Sequence, residues 1–519
     1  MVKAVVAETA TKIPDSALQA GFKTVRRVSG PIVLVETPDP ASTIRQLSKA
    51  LPDEAPQIQW DAVDGLTALN DPGNEALKST GVRVDEVPML AQSLEVMAML
   101  PKSSVVFVHN IQLHIEDALV IQGIWNLRDK FKTNRRTLVL MGPVVDLPIP
   151  LQGDVITLSE PLPTREHLGQ ILDASLAGAK VKIQNDETRR AALDAVVGLA
   201  SFTAEQVIAM AMRPDGIDVD QLWDHKIQAI EHTPGLRVHR KGKGVSLKDL
   251  KGIDNVKSFC ERLIAAEAFG AIVFIDEGDK AFAGGMSDYS GDSGVSKDQV
   301  GVILSYIEDT RSLGLLACGV AGTGKTALAQ AMAEASGKPL IYFDMGGMKG
   351  GIVGESERRI RAALKVVTAT AEGRVLFIMT ANQTASFTPE LNRRFRDQFF
   401  FDLPDDEGRK AMWPVYIQKS GLKPEQCVMP DDKDWTGDEI RRTCDRAALF
   451  NETLTEAAAF TIPQAVSAKA VIAKQRMDAS GRFLSASSKG IYTLPEEPKT
   501  YTKKVEEPTA RAISFGKES

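Results

Sequence analysis

Along the first 160 positions the apolar residues fall in short runs separated by polar, helix-like stretches. The runs are Pro31-Ile-Val-Leu-Val-Glu36, Ser104-Val-Val-Phe-Val-His109, Thr137-Leu-Val-Leu-Met141 and Val155-Ile-Thr-Leu158. Each has the length of a strand buried on both faces, and Leu119 to Lys132 between them has helical spacing. The alternation predicts an α/β unit with a mostly parallel sheet. From Thr164 to about Ile230 the pattern turns helical. Thr233 to Gly244 is polar, basic and Gly-rich, and reads as a linker. A second α/β unit runs from Ser246 to about Asp405, a second helical unit from Asp406 to about Met477, and a polar tail follows from Ala479. The expected divisions are 1–163, 164–232, 233–245, 246–405, 406–478 and a flexible 479–519, whose last residues have little to bury.

With 519 residues, the chain is too long for one core, as this repeated order already suggests. A hydrophobic share of 43%, a charged share of 25% and a net charge of −6 are ordinary for a globular protein. That acidic balance counts against nucleic acid and anionic membrane as partners. No apolar run is long enough to span a bilayer, and Met1 to Ala20 lacks a signal-peptide core. Cys260, Cys318, Cys427 and Cys444 are scattered, as reduced thiols of a cytoplasmic protein are. All six His lie between His109 and His239, and none forms an H-E-x-x-H motif.

The chemistry is concentrated in the second half. Gly319-Val320-Ala321-Gly322-Thr323-Gly324-Lys325-Thr326 satisfies G-x-x-x-x-G-K-[ST] at every fixed position. It follows the strand-like Leu313 to Cys318 and precedes a helix start at Ala327 to Ala333. Small residues in such a loop let successive backbone N–H groups point at phosphates, at the positive end of the next helix. Lys325 is expected at the β- and γ-phosphates and the Thr326 hydroxyl on Mg²⁺. The apolar strand Ala271 to Ile275 ends in Asp276-Glu277, expected to supply a metal-shell carboxylate and a group that polarises the attacking water. Asn382 closes another buried strand, Val375 to Ala381, and is a candidate to hold that water. Arg393 and Arg394 follow it and are candidates for an arginine acting in trans. Together these residues imply binding of ATP with Mg²⁺ and its hydrolysis.

From Ser246 to about Ala470 the chain resembles an AAA-family (AAA+) ATPase. The stretches that carry the resemblance are GVAGTGKT, VFIDEGDKAF, GGIVGESERRIR, VLFIMTAN, the Arg393/Arg394 pair, FDLPDDEGR and TGDEIRRTCDRAAL. Lys280 to Gly284, Gly291 to Ser296 and Gly350 to Glu355 are most similar to the subfamily named after a chloroplast reading frame, in which a degenerate AAA-like domain precedes the active one. The first half fits that description. Val105-Val-Phe-Val108 resembles the carboxylate strand, but His109-Asn110 stands in place of Asp-Glu and no G-K-[ST] loop precedes it. The implied fold is a P-loop NTPase core with a parallel sheet and helical lid, behind a degenerate α/β copy.

The resemblance further implies a homo-oligomeric ring, usually hexameric, with ATP at each interface, that remodels a protein partner. A slow ATP-dependent switch and a DNA-remodelling motor are the competing classes. Two departures bear on this. Ile352 stands where protein-threading rings carry an aromatic pore residue. The Asp-Glu segment, about Ala265 to Arg311, precedes the phosphate loop instead of following the helix Glu355 to Val367. If the site assembles nonetheless, Val375 to Met379 must lie between Leu315 to Cys318 and Ile272 to Ile275, with the helix Asp298 to Thr310 as a crossover.

Overall fold

The computed structural model describes residues 17–37, 39–83, 89–143, 145–159, 162–240, 245–279, 297–348, 355–383 and 389–495. Ile352, the segment 280–296 and the end of the tail lie outside these residues.

The first domain holds strands β1 (Ile32–Glu36), β2 (Gln57–Asp61), β3 (Gly65–Ala68), β4 (Val105–Val108), β5 (Thr137–Gly142) and β6 (Ile156–Ser159) in the order β3-β2-β4-β5-β1-β6. All neighbours are parallel except β3, which turns back along β2. The four strands read from apolar runs are β1, β4, β5 and β6. The strand β2 was not legible as such a run, because Gln57 and Gln59 alternate with the buried Ile58 and Trp60. Four helices follow: Arg165–Ala179, Asp186–Val196, Ser201–Ala211 and Val219–Glu231. Three of them start where the side chain of Thr164, Asn185 or Asp218 accepts from a backbone N–H of the first turn. A small ribbon, β7 (Met212–Arg213) with β8 (Gly216–Ile217), joins the last two.

The second domain holds β9 (Leu236–Val238), β10 (Ala271–Ile275), β11 (Leu313–Gly319), β12 (Leu340–Phe343), β13 (Val375–Ala381), β14 (Asp397–Phe401) and β15 (Leu484–Ser485). Their spatial order is β15-β14-β11-β13-β10-β12-β9. The strand β13 pairs in parallel with β11 on one side and β10 on the other, as the altered segment order requires. Matched place by place, β14-β11-β13-β10-β12 repeats β6-β1-β5-β4-β2 of the first sheet. The first domain reaches the β4 place after the β1 place; the second reaches the equivalent place, β10, before β11. One sheet is thus built by two chain orders. The helices Lys297–Asp309 and Glu355–Thr370 span the two altered connections, each skipping one strand, and each is long enough for a parallel crossover.

Two expected boundaries move. The linker 233–245 contributes β9, antiparallel to β12, with Leu236 and Val238 buried and Arg237 lying over the Tyr342 ring at 5.4 Å. Leu-Arg-Val is the alternation of a half-buried edge strand, which the surrounding Gly and basic residues obscured. The tail expected to be flexible from 479 is packed to at least Tyr492. There β15 pairs with β14, Phe483 and Tyr492 are buried, and the Tyr492 ring meets Phe400 at 4.5 Å. The Tyr492 hydroxyl donates to Asp402 at 2.7 Å, and Arg476 donates to the same carboxylate at 2.8 Å. Two aromatics separated by polar residues carry this docking, a signal too sparse to read as a strand.

The lid consists of Asp406–Ser420, Gly437–Phe450, Leu454–Ala458, Gln464–Ser467 and Lys469–Ala479. Its own core gathers Met412, Trp413, Trp435, Ile440 and Leu454. Thr436 and Glu439 form a reciprocal cap that fixes where Gly437–Phe450 begins.

Candidate functional site

The loop after β11 is held by its backbone. Val320 N–H donates to the Phe401 carbonyl at 2.9 Å, and a Cβ on Gly319, whose φ is 134°, would come within 2.2 Å of that oxygen. Only glycine fits so close a passage. Gly324, with φ 95°, turns the chain into the helix Lys325–Ser336. Lys325 is buried, and its Nζ donates to the carbonyls of Gly319 at 2.9 Å and Val320 at 2.8 Å. Burial brings its pKa down from 10.5 to about 8, against the opposing pull of Cys318, Asp279 and Asp276.

Asp276 and Glu277 leave the carboxyl end of β10 next to β13. The Thr380 hydroxyl donates to Asp276 Oδ1 at 2.5 Å and accepts from Glu277 N–H at 3.0 Å. Glu277 has φ 48°, a left-handed turn that bends the chain directly after the strand. Asp279, almost fully buried, accepts from the N–H groups of Asn382 at 3.2 Å and Gln383 at 3.1 Å. Thr380 and Asp279 therefore tie the carboxylate strand to the Asn382 strand. The sequence reading missed both. The signal available for Asp279 was its place two residues beyond Asp-Glu, after a Gly278 whose Cβ would sit 2.3 Å from the Met379 sulfur.

A cavity of about 720 Å³ opens over these ends. Ala321, Gly322, Thr323, Gly324, Lys325, Thr326, Asp276, Glu277 and Asn382 all line it. Its far wall is apolar, with Val245, Leu250, Ile253 and Met412, and the lid adds Arg441 and Lys419. Asp438 N–H donates to the Gly322 carbonyl at 3.1 Å, so lid and loop touch directly. Lys419 is held by Asp249 at 2.7 Å, and Arg441 by Asp438 at 2.7 Å and Asp445 at 2.9 Å. Nothing in the sequence singled out these lid cations, because only tertiary packing brings them to the cavity. Gly319 and Val320 stand behind it through their carbonyls. Arg393 and Arg394 lie elsewhere: Arg394 is paired with Glu308 and Glu390 on its own domain, and Arg393 is exposed.

The equivalent place in the first domain is built differently. A smaller cavity of about 350 Å³ is lined by Asp39, Pro40, His109, Asn110 and Phe202. The helix Pro40–Ser48 after β1 begins under the Asp39 carboxylate, which accepts from Ser42 N–H at 3.0 Å. A carboxylate thus occupies the helix end that would face a phosphate, which repels an anion instead of holding one. Burial pushes the His109 imidazole below its ordinary pKa, so it is a poor source of compensating charge.

A parallel sheet with a phosphate loop, a carboxylate strand and a lid defines a P-loop NTPase of AAA architecture. Two protein families match the chain: the SpoVK-like AAA ATPase, N-terminal domain, over residues 20–159, and the ATPase family associated with various cellular activities (AAA) over residues 315–378. Both halves of the chain are thus similar to AAA ATPases. The second match runs from β11 into β13 and leaves out Asp276-Glu277, which lie ahead of it in this chain order. Among curated proteins, the chain is similar to the uncharacterized AAA domain-containing protein ycf46 of Guillardia theta, 21% identical over 77% of this chain and 79% of that protein. The same protein of Trieres chinensis is 23% identical over 74% and 78%, and that of Pyropia yezoensis 22% over 69% and 73%. Among the described residues no helix is long and apolar enough to cross a membrane.

Proposed function

We propose that the second domain binds ATP with Mg²⁺ and hydrolyses it, and that the chain works as a ring oligomer that remodels a protein partner. The observation that supports the reading best is that Lys325 and Thr326 share one cavity with Asp276, Glu277 and Asn382, although the carboxylates come first in the chain. In this reading the loop N–H groups and Lys325 hold the phosphates, and the apolar wall of Val245, Leu250, Ile253 and Met412 takes the base. Thr326 hydroxyl and Asp276 carboxylate are hard oxygen donors suited to Mg²⁺ completed by phosphate oxygens. Bound there, the ion supplies neutralisation of the charge on the β- and γ-phosphates. Glu277 accepts a proton from the attacking water, and Asn382 orients that water.

The arginine pair is kept as the group that acts in trans on a neighbour's ATP: neither arginine lines the cavity of its own chain, where Arg394 pairs with Glu308 and Glu390.

Lys325→Ala in the full chain tests the binding part. It should abolish saturable ATP binding, and a residual site of similar affinity would mean that the first domain binds nucleotide. The metal shell is tested by a double-substitution cycle. Asp276→Asn and Thr326→Ala should each weaken Mn²⁺ binding in the ATP complex, and together by less than the sum. Strict additivity would separate the two groups.

A further inference from the structure

Asn382 stands just past the last ladder pairs of β13, which end at Met379 toward β10 and at Ala381 toward β11. Beyond them the chain must find its hydrogen bonds elsewhere. It takes them from two side chains on different elements. Asp279, in the turn after β10, accepts from the N–H groups of Asn382 at 3.2 Å and Gln383 at 3.1 Å. Gln475, on the helix Lys469–Ala479, donates from Nε2 to the Asn382 carbonyl. The Asn382 carbonyl and the Gln383 N–H belong to one peptide plane, so that plane is held at both ends. The Asn382 N–H belongs to the plane before it. Both planes that flank the Asn382 Cα are thus pinned, and with them the direction in which its side chain leaves for the cavity it lines.

A glutamine is a costly choice for this place. Ile472, Gln475 and Ala479 form the buried face of their helix. Gln475 is 7% exposed, and its Oε1 is buried without a hydrogen-bond partner. An amide oxygen left so costs stability, whereas an apolar side chain of similar length would fill the same space without that cost. Only the bond to Asn382 gives the amide a use there. The helix itself is fastened. The next residue, Arg476, pairs with Asp402, which also receives the Tyr492 hydroxyl. Asp402 directly follows Phe401, whose carbonyl accepts from Val320 in the phosphate loop. Gln475 therefore reaches Asn382 from a support anchored beside that loop.

We propose that Gln475 is a positioning residue for ATP cleavage: its amide, with the Asp279 carboxylate opposite, sets the Asn382 side chain where it can orient the attacking water. The inference rests on the water-orienting role given to Asn382 above. It also makes the docking of residues 469–492 part of the nucleotide site, although none of them lines the cavity.

The test is single-turnover cleavage by the full chain with ATP and Mg²⁺, alongside equilibrium ATP affinity, in Gln475→Met, Gln475→Glu and Asn382→Ala. Thermal melts check the fold of each variant. Gln475→Met keeps the length of the side chain and removes the donor. It should bind ATP within a few-fold of wild type and cleave it on the order of 10- to 100-fold more slowly, as a misplaced group does. Added to Asn382→Ala, it should slow cleavage no further. Gln475→Glu donates only while its carboxyl is protonated, and burial raises the pKa of such a carboxyl. Its cleavage rate relative to wild type should therefore climb as pH falls from about 9 to about 6, a change that packing alone does not produce. Wild-type cleavage by a folded Gln475→Met overturns the inference. So does a loss of ATP affinity as large as the loss of rate, which marks a merely structural residue. A Gln475→Glu rate that stays depressed at every pH overturns it too, whether or not Gln475→Met folds. If Asn382→Ala cleaves as wild type does, the water-orienting role falls and this inference with it; if Asn382→Ala is slow and both Gln475 variants are not, the inference alone is wrong.

Discussion

The lowered pKa of Lys325 makes nucleotide affinity depend on pH in a range where few other groups titrate. In the free protein burial holds this lysine at about 8, with the Gly319 and Val320 carbonyls as its partners. Phosphates replacing those carbonyls bring negative charge to Nζ and hold its proton on, so the bound pKa lies higher. The charged fraction of the free lysine is about nine-tenths at pH 7 and about one-tenth at pH 9. If only the charged form binds, affinity falls about tenfold over that interval, or about 1.4 kcal/mol. Equilibrium titration of Glu277→Gln with a fluorescent ATP analogue at fixed Mg²⁺ measures this without turnover. Lys325→Arg is the control: an arginine stays charged throughout, so its affinity, though weaker, should lose the slope. An affinity that stays flat from pH 7 to 9 with Lys325 in place would refute the argument that burial governs this group.

A second buried lysine should act on stability. Lys226, packed over the Trp223 ring at 4.8 Å and donating to the Asp194 carbonyl, is lowered by burial from 10.5 to about 7, while Asp194 and Glu372 pull upward and Lys338 and Arg165 downward. The unfolded chain binds its proton more tightly, so this group's contribution to stability should rise with pH from about 7 to about 10, by on the order of a few kcal/mol. Urea unfolding should show that rise in the wild type and lose it in Lys226→Met; identical pH profiles would remove the lysine from the account. Arg394→Ala should spare ATP affinity, since the residue lies outside the cavity of its own chain, and lower turnover on the order of 10³-fold by removing a charge from a neighbour's ATP. Turnover within a few-fold of wild type would leave the arginine with only its pairs to Glu308 and Glu390.

What was legible in the sequence had strong local signatures. The strands β10, β11 and β13 are continuous apolar runs, and the phosphate loop opens on a glycine, Gly319, that the Phe401 carbonyl leaves no room to replace. The place of β13 between β10 and β11 is the one that the resemblance to the AAA sheet implied. The features that escaped are set by distant contacts. The strand β9 exists because β12 offers an edge, and β15 because Tyr492 reaches Asp402 and Phe400. Asp279, Thr380 and Arg441 matter through partners on other elements, a relation with no local pattern. Two of the ion pairs that join the domains, Lys365–Glu36 and Arg358–Asp146, use residues that in sequence are two charges on an ordinary helix.

Phosphate release in a single turnover, with enzyme in excess over ATP and Mg²⁺ present, tests most directly whether the reordered segments make a working site. Wild-type protein should convert its bound ATP to ADP and phosphate, while Glu277→Gln should bind ATP with similar affinity and release phosphate at least about 100-fold more slowly, the loss expected of a missing general base. Equal release by the two proteins, or a wild type that binds ATP and never cleaves it, would contradict the account.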